Sequence, residues 1–386
     1  MPPKATTRKK APKRTKVEDK RPDLMLYDPP VGLDRIEGQE RAMGVLHKSM
    51  QSGRLHHAWI FHGPEGVGKF TSAISWAAML LDPTTTPDLG GNLAPDRDSQ
   101  TQLAIRAGTH PDLFVIRKEL TPFSENAKIR SNKQRNIPKD ILVEYLVRPA
   151  ALAPTHREPT LAGKVFIIDE TELVDQVGQN AMLKTLEEPG PGTLIILVTA
   201  SEDRLLPTIR SRCQRVGFLP LDEESMRRWV NAQDFGLDPE AHHWYMQYAQ
   251  GAPGRFARAV ESDLYRWHTQ IDPMLSRAMM GEHQAGLGTT MSTLIDEWAS
   301  DWVKRGDKLG ENRSKEAANQ KGAGMMLSLI AQRARSWLGD AARRERALQT
   351  IDSVARAGEA LSTNVSLKMV MEHLVAGISD RGDLVV

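Results

Sequence analysis

The segment Gly63–Phe70 reads Gly-Pro-Glu-Gly-Val-Gly-Lys-Phe and follows the phosphate-binding pattern G-x-x-x-x-G-K-[ST] up to its last position. In such a loop, backbone N–H groups surround the phosphates, the lysine reaches the terminal phosphates, and the hydroxyl ligates Mg²⁺. The candidate phosphate-binding residues are Gly63, Gly66, Gly68 and Lys69. Phe70 takes the hydroxyl position, where a phenyl ring offers no oxygen to a cation that requires oxygen ligands. The sequence thus predicts a nucleotide-binding fold whose own hydrolytic site is disabled.

Thr71 could in principle supply the missing hydroxyl one residue later. A one-residue step turns an α-helix by about 100°, which would direct Thr71 away from phosphates held by the preceding residues. We therefore expect no ATP hydrolysis by the chain alone and no required cofactor. The sequence leaves open whether ATP binds the loop without being hydrolysed.

Two acidic residues, Asp169 and Glu170, follow an apolar run, Val165–Ile168, that predicts a buried strand. In an active ATPase, Asp169 would hold Mg²⁺ and Glu170 would polarise the attacking water. Acids in this place can also cap the next helix or face solvent. Because they follow the glycine-rich loop at a plausible distance, we interpret them as the acidic element of the same site, at the carboxyl end of its strand.

Three further residues are candidates for contact with phosphate. Arg212, in Ser211–Cys213, is interpreted as an arginine finger that stabilises transition-state charge on a neighbouring subunit's nucleotide. The alternative for Arg212 is a surface ion pair of little energetic consequence. Thr199 ends a predicted strand and is either a γ-phosphate sensor or a β-branched strand residue. Arg255 follows the turn Gly251–Gly254 and either swings onto the phosphates or pairs with an acid.

The order of the predicted elements indicates the fold class. The predicted strands are 58–61, 112–116, 165–169, 194–199 and a short one near 216–218, and the predicted helices are 36–52, 71–81, 139–147 and 177–186. Strands that are apolar along their whole length and alternate with helices indicate an α/β fold with a parallel, doubly wound sheet. The stretches 82–101 and 119–138 are predicted as loops. Beyond residue 221 the pattern is helical, with a loop or helix junction predicted over 306–324.

The length of 386 residues suggests two to three domains. We divide the chain into a basic tail, 1–30, a nucleotide-binding domain, 31–221, a small helical domain, 222–262, and a longer helical domain, 263–386. The apolar runs are too short to cross a bilayer and the N-terminus lacks the apolar core of a signal peptide, so we expect a cytoplasmic protein with no membrane contact. A single cysteine, Cys213, excludes an internal disulfide and a four-cysteine zinc site.

Positive charge is concentrated at the N-terminus. Residues 1–21 carry nine Lys or Arg against Glu18 and Asp19, a formal charge of +7 in a chain whose net charge is +2, which leaves −5 for the remainder. This composition, rich in charge and proline, predicts disorder. The tail is either a solubilising extension or an arm that contacts DNA phosphates without sequence preference, and the second function would weaken steeply with salt.

Several motifs together resemble the clamp-loader branch of the AAA+ ATPases, and within it the delta-prime subunits of bacterial DNA polymerase III. The resemblance covers roughly residues 33–262 and, more loosely, the final helical region. Its most specific part runs from Asn180 to Cys213. The motifs are His56–Lys69, His110–Leu113, Asn180–Pro189, Leu197–Thr199 and Leu205–Cys213.

The resemblance implies a RecA-like AAA+ domain, a small helical lid and a C-terminal collar that holds a five-subunit ring together. It also implies that the partners are gamma/tau and delta clamp-loader subunits, the sliding clamp and, through the complex, primed DNA. In that family the delta-prime subunit commonly has no ATPase activity and offers the Arg of the Ser-Arg-Cys motif, here Arg212, to a neighbouring gamma/tau subunit. Such a chain would be part of the DNA polymerase III holoenzyme, a DNA-directed DNA polymerase.

Two other functions stay open at this point. The chain could be an active gamma/tau-like ATPase, against which Phe70 argues, or a DNA-binding protein that acts through its tail. Many clamp-loader subunits also insert a zinc module with four cysteines after the first helix of the ATPase domain. The corresponding stretch, roughly 82–110, has no cysteine, so we expect neither zinc nor another metal.

Overall fold

The computed structural model describes residues 27–53, 55–87, 93–130, 136–156, 158–308, 314–361, 363 and 365–380. The predictions made for the basic tail up to residue 26, and for residues 131–135 of the predicted 119–138 loop, lie outside these residues. The described chain forms two compact units. The first contains the residues up to Ile36, Glu40–Gly63 and Lys69–Gly217, and the second contains Glu37–Gln39, Pro64–Gly68 and the residues from Phe218 onward.

The first unit is built on a parallel sheet. The strands are β1 (Ala58–His62), β2 (Thr86–Pro87), β3 (Leu93–Ala94), β4 (Leu113–Ile116), β5 (Lys164–Ile168), β6 (Thr193–Thr199) and β7 (Gln214–Gly217). Five of them pair in parallel in the order β4-β5-β6-β1-β7, and β2 pairs with β3 as a short antiparallel ribbon. Every residue of β5 and β6 is buried, as expected for strands covered on both faces. The predicted α/β class with a parallel, doubly wound sheet is confirmed.

Helices flank this sheet on both faces. They are α1 (Glu40–Gln51), α2 (Lys69–Leu80), α3 (Gln100–Arg106), α4 (Ala127–Arg130), α5 (Lys139–Leu142), α6 (Arg148–Ala150), α7 (Gln176–Glu187) and α8 (Pro207–Arg210). A π-helical turn, Val143–Val147, continues α5 into α6. Single 3₁₀ segments cover Leu33–Arg35, Lys118–Phe123, Thr171–Leu173 and Glu202–Arg204.

Two apolar layers hold the helices to the sheet. Phe166 and Ile195 belong to a buried cluster that also contains Ile141 of α5 and Leu186 of α7. On α2, nearly every residue is buried, including Trp76, which packs edge-on against Trp59 of β1 with ring centroids 4.9 Å apart. A helix that is apolar on all sides has to be enclosed, which fixes α2 directly behind the glycine-rich loop.

The prediction of loops over 82–101 and 119–138 was wrong for part of each stretch. Residues 93–94 form β3, and α3 begins at Gln100 with the Ser99 hydroxyl accepting a hydrogen bond from the Gln102 N–H. Lys118–Phe123 is a 3₁₀ segment and Ala127–Arg130 is a short helix. These elements are stabilised by side-chain caps and polar contacts, which leave little hydrophobic periodicity in the sequence.

The second unit is helical in its described part. After residues 37–39 and 64–68 it contains α9 (Glu223–Asn231), α10 (Pro239–Ala249), α11 (Pro253–Glu261), α12 (Leu264–Met279), α13 (Leu287–Lys308), α14 (Lys315–Arg335), α15 (Arg344–Leu361) and α16 (Leu367–Ser379). One hydrophobic cluster extends from Leu221 to Ile378. Since this core is continuous from α9 to α16, the division of the region at residue 262 stays a prediction.

The loop or helix junction predicted over 306–324 includes the junction between α13, which ends at Lys308, and α14, which begins at Lys315, so the rest of that stretch is helical where it is described. The first turns of α14 bury small residues, Ala318, Gly322 and Ala323. A Cβ on Gly322 would lie 3.0 Å from the Ile295 side chain of α13, so the two helices approach closely there. Close packing through small residues gives a weak apolar signal in the sequence. None of the helices described here is both long and apolar enough to cross a membrane.

Candidate functional site

The glycine-rich loop connects β1 to α2, which is the strand–loop–helix context that the sequence predicts. β1 ends at His62 and α2 begins at Lys69. The φ angles of Gly63, Gly66 and Gly68 are 141°, 81° and 97°, a region of backbone conformation that residues with a Cβ avoid. The three glycines that the motif singles out therefore give the loop its shape.

The ammonium group of Lys69 is bound by the loop itself. Its Nζ donates a hydrogen bond of 2.6 Å to the carbonyl oxygen of Gly63, and the side chain is buried. This bond joins the two ends of the loop. A phosphate that entered the loop would have to share or replace this hydrogen bond in order to reach the lysine.

The tip of the loop, residues 64–68, belongs to the same compact unit as α11. The carbonyl oxygen of Gly66 accepts a hydrogen bond of 2.8 Å from the N–H of Gly254, in the first turn of α11. Nearby, a carboxylate oxygen of Glu65 lies 2.9 Å from Nη2 of Arg258. The backbones of Gly66 and α11 approach each other closely, because a Cβ on Gly66 would lie 2.8 Å from the backbone nitrogen of Arg255.

The guanidinium group of Arg117 stacks on the ring of Phe70. The Cζ atom of Arg117 lies 3.9 Å from the ring centroid of Phe70, and Nη2 of Arg117 donates a hydrogen bond of 2.6 Å to Oδ2 of Asp169. Both charged side chains are largely buried, with 25% and 16% of their surface exposed. The structure therefore links Phe70 and Asp169, both predicted as parts of one site, through a cation that the sequence reasoning missed.

The strand register explains how this cation reaches the acid. In the parallel pair β4–β5, Ile116 lies opposite Ile168. The residues that follow keep the same alignment, because Arg117 pairs with Asp169 and Lys118 pairs with Glu170, whose carboxylate lies 2.7 Å from Nζ of Lys118. Two cations after one strand thus neutralise two acids after its neighbour.

This arrangement does not fit a Mg²⁺ site. Mg²⁺ requires near-octahedral oxygen ligands at about 2.0–2.1 Å. Asp169 and Glu170 instead have cationic nitrogens at 2.6 and 2.7 Å, and Phe70 adds no oxygen. Within the part of the chain that the structure describes, no three His, Cys, Asp or Glu side chains are grouped so that they could hold a metal ion.

The side chain of Asp169 is largely buried. Burial raises the pKa of its carboxyl above the ordinary aspartate value, and the charge and hydrogen bond of Arg117 offset part of that rise. A carboxylate that has lost most of its water is stabilised by a permanent counter-charge. A guanidinium provides one at any physiological pH, because it does not deprotonate in proteins.

The remaining candidates lie in separate local settings. Thr71 is exposed on α2. Thr199 ends β6 and is buried, and its hydroxyl accepts a hydrogen bond of 3.0 Å from the N–H of Ser201. The guanidinium of Arg255 stacks on the ring of Tyr248 at 4.4 Å. The phosphate-binding roles proposed for these three residues stay predictions.

Arg212 lies two residues beyond α8 and is partly exposed. Its Nη2 atom lies 2.6 Å from a carboxylate oxygen of Glu187, the last residue of α7, and its Nη1 atom donates a hydrogen bond of 2.9 Å to the carbonyl of Thr208. The adjacent Cys213 packs against the buried cluster behind the sheet, and burial raises the pKa of its thiol to about 12. The guanidinium is therefore held at the surface while the next side chain anchors the segment.

Comparison with known proteins gives consistent matches. A family model described as DNA polymerase III, delta subunit matches residues 38–222. The delta-prime subunit of Pseudomonas aeruginosa DNA polymerase III is 28% identical over 334 residues, which cover 84% of this chain and 92% of that protein. The delta-prime subunit of Bacillus subtilis is 30% identical over 198 residues, covering 51% and 53%. The gamma/tau subunit of Mycobacterium bovis is 26% identical over 272 residues, covering 69% and 42%.

The chain is thus similar to DNA polymerase III delta-prime subunits. It spans nearly the whole Pseudomonas relative but only about half or less of the Bacillus and Mycobacterium proteins. Among solved structures, a gamma subunit-related protein from Thermotoga maritima has 17% identity and a TM-score of 0.43, covering 87% of this chain and 99% of that one.

Arg117 and Lys118 are the site residues that the sequence reasoning missed. A signal was present, since two consecutive cations follow one predicted strand and two consecutive acids follow the next strand of the sheet. Using that signal requires knowing that β4 and β5 are adjacent strands and that Ile116 pairs with Ile168 in their register. Neither the neighbour nor the register can be read from the hydrophobic pattern of a single chain.

Proposed function

We propose that this chain is a clamp-loader subunit of the DNA polymerase III holoenzyme and that it does not hydrolyse ATP itself. In this proposal it assembles with gamma/tau and delta subunits in the cytoplasm. It presents Arg212 to the ATP bound by a neighbouring gamma/tau subunit while the complex loads a sliding clamp onto primed DNA during replication. The similarity to delta-prime subunits supports the assembly, and the geometry of the site supports the division of roles within it.

The stack of Phe70, Arg117 and Asp169 is the observation that carries the proposal. An ATPase of this class needs a hydroxyl after the loop lysine and free carboxylates for Mg²⁺ and water. Here the hydroxyl position holds a ring, and both acids are paired with cations at 2.6 and 2.7 Å. The chain's own site thus lacks the groups that would position a metal and a nucleophilic water.

Arg212 has the features required of a residue that acts on another subunit. It is 36% exposed, and its guanidinium is oriented by Glu187 and by the Thr208 carbonyl. Together with a longer hydrogen bond of 3.4 Å from Nη1 to the Ser211 hydroxyl, these contacts use at most three of the five N–H donors of a guanidinium, which leaves at least two for a phosphate. Such a group can stabilise charge on a neighbour's γ-phosphate even though its own subunit is inactive.

The first test measures ATP hydrolysis by the purified full-length chain, with Lys69→Ala as the matched variant. We expect no turnover that depends on Lys69. Robust hydrolysis that is lost in Lys69→Ala would make the chain an active gamma/tau-like motor and would contradict the proposal.

The second test reconstitutes the complex with gamma/tau, delta and a sliding clamp on primed DNA. For Arg212→Ala we expect intact assembly and a fall of about 10³-fold or more in hydrolysis at the adjacent site, the effect of removing an arginine finger. The bulk rate falls less if other ATP sites contribute. Arg210→Ala, which removes another arginine two residues away that pairs with Asp203, is the matched control and should leave the rate unchanged. An unaltered rate at the adjacent site in Arg212→Ala excludes the finger role.

A further inference from the structure

We propose that Arg117, which stacks on the ring of Phe70, occupies the cation position of the acidic pocket at the end of β5. This inference deepens the proposed function, on which it rests for the absence of ATP hydrolysis. It states that the pocket is blocked twice, once by the missing hydroxyl and once by a built-in counter-ion. Restoring the hydroxyl alone therefore does not create a metal site.

The position of Arg117 follows from the sheet. The N–H of Asp169 donates a hydrogen bond of 3.0 Å to the carbonyl of Ile116. The two backbone segments are therefore hydrogen-bonded right beside the residues whose side chains form the ion pair. The Nη2–Oδ2 distance of 2.6 Å is that of a strong, charge-assisted hydrogen bond. The guanidinium thus reaches the acid from the residue directly after the neighbouring strand β4.

Phe70 closes the other side of the guanidinium. Its ring lies 3.9 Å from Cζ of Arg117, a cation–π distance, and it belongs to the first turn of α2, which is enclosed by the core. A threonine at position 70 would remove this surface, while the contact of Arg117 with the Asp169 carboxylate would remain. The aromatic side chain therefore does more than omit an oxygen, since it also packs against the cation that pairs with Asp169.

Charge balance in the pocket supports the same conclusion. Asp169 and Glu170 contribute two negative charges, and Arg117 and Lys118 contribute two positive charges in contact with them. A divalent cation would meet no net negative charge and would have to displace an ion pair that is largely shielded from water. Removing Arg117 restores one uncompensated, buried carboxylate, which is the type of ligand that Mg²⁺ and Mn²⁺ bind.

The test is Mn²⁺ binding to the full-length chain, measured by electron paramagnetic resonance of the free ion without nucleotide. We expect no saturable site involving Asp169 in the wild type or in Phe70→Thr, and one new site per chain in Phe70→Thr/Arg117→Gln. Adding Asp169→Asn to that double variant should abolish the new site. Lys118→Gln, which removes the neighbouring cation but leaves Arg117 in place, is the matched control and should gain no site.

Three outcomes would overturn the inference. They are saturable Mn²⁺ binding by the wild type that Asp169→Asn removes, a new site in Phe70→Thr alone, and no new site in a folded double variant. Circular dichroism establishes folding, and Arg117→Met replaces Arg117→Gln if the latter unfolds. The proposed function fails separately, through Lys69-dependent ATPase activity of the wild type or an unaltered hydrolysis rate at the adjacent site in Arg212→Ala, and neither result depends on Mn²⁺ binding by the variants.

Discussion

The guanidinium of Arg212 lies 2.6 Å from the carboxylate of Glu187, and the two side chains are 36% and 46% exposed. An ion pair this accessible to water contributes little to folding, typically about 0–1 kcal/mol. The contact therefore orients the arginine without making the fold depend on it. This separation matters because a loss of activity in an arginine variant can then be assigned to chemistry rather than to misfolding.

The first prediction concerns stability. Arg212→Ala and Glu187→Gln should each change the free energy of unfolding by less than about 1 kcal/mol, because solvent screens the pair that they break. Urea-induced unfolding followed by circular dichroism measures the change, and Glu188→Gln at the neighbouring exposed position is the control. A loss above about 2 kcal/mol in either variant would assign the pair a structural role and weaken the case for a finger.

The sequence was sufficient to predict the sheet, because its strands are buried on both faces. Val165–Ile168 and Leu194–Val198 are apolar without interruption, a pattern typical of a strand that is covered on both faces. The motif likewise located the loop between β1 and α2. Both inferences depend on local composition and spacing, which a single sequence contains in full.

The pairing of Arg117 with Asp169 could not be predicted in the same way. The two residues are 52 positions apart and meet only because β4 and β5 are adjacent and in register. Phe70 could be recognised as a substitution at the hydroxyl position, but the cation on its ring depends on the same tertiary contact. The sequence therefore predicted that the site is altered but did not predict which groups pair with its acids.

The second prediction concerns Asp82, which organises the segment between α2 and α3. Its buried carboxylate accepts hydrogen bonds from the Thr84 hydroxyl at 2.6 Å, the Ser99 hydroxyl at 2.6 Å and the Gln102 amide at 2.9 Å. Asp82→Asn turns one acceptor into a donor that faces other donors. We expect a loss of about 1–3 kcal/mol in the free energy of unfolding at neutral pH, the cost of unsatisfied buried polar groups.

The pH dependence of this loss provides a second readout. Burial alone would raise the pKa of Asp82, but the hydrogen bonds from Ser99, Thr84 and Gln102 together lower it below the ordinary aspartate value. A carboxyl whose pKa is lower in the folded state stabilises the protein above its unfolded pKa, and that contribution is lost as the pH falls through the folded pKa. The difference in the free energy of unfolding between wild type and Asp82→Asn should therefore be largest at neutral pH and become smaller below about pH 4.

Asp98→Asn is the control for these measurements, since Asp98 is exposed in the same segment. Its free energy of unfolding should stay within about 0.5 kcal/mol of the wild type, as is usual for surface substitutions. If the difference in the free energy of unfolding between wild type and Asp82→Asn stayed constant down to strongly acidic pH, the charge of the Asp82 carboxylate would not be the source of its stabilising effect.

The third prediction concerns the reactivity of Cys213. Burial raises the pKa of this thiol to about 12, and the thiolate is the reactive form. At pH 8 the native chain should react with Ellman's reagent about 10³-fold more slowly than the urea-unfolded chain, because so little thiolate is present. Since Cys213 is the single cysteine of the chain, the absorbance change reports this position alone. Similar rates in the native and unfolded chain would mean that the segment carrying Arg212 opens readily.

The fourth prediction concerns Gly66 at the tip of the loop. Its φ angle of 81° costs a residue with a Cβ about 1–2 kcal/mol, and the added atom would also lie 2.8 Å from the Arg255 nitrogen. Gly66→Ala should therefore lower the melting temperature more than Gly53→Ala does. Gly53 is the matched control because its φ is 63° and a Cβ there meets no atom within 4 Å. If both variants lost the same stability, the backbone conformation alone would explain the glycine, and the close packing of the loop on α11 would contribute nothing measurable.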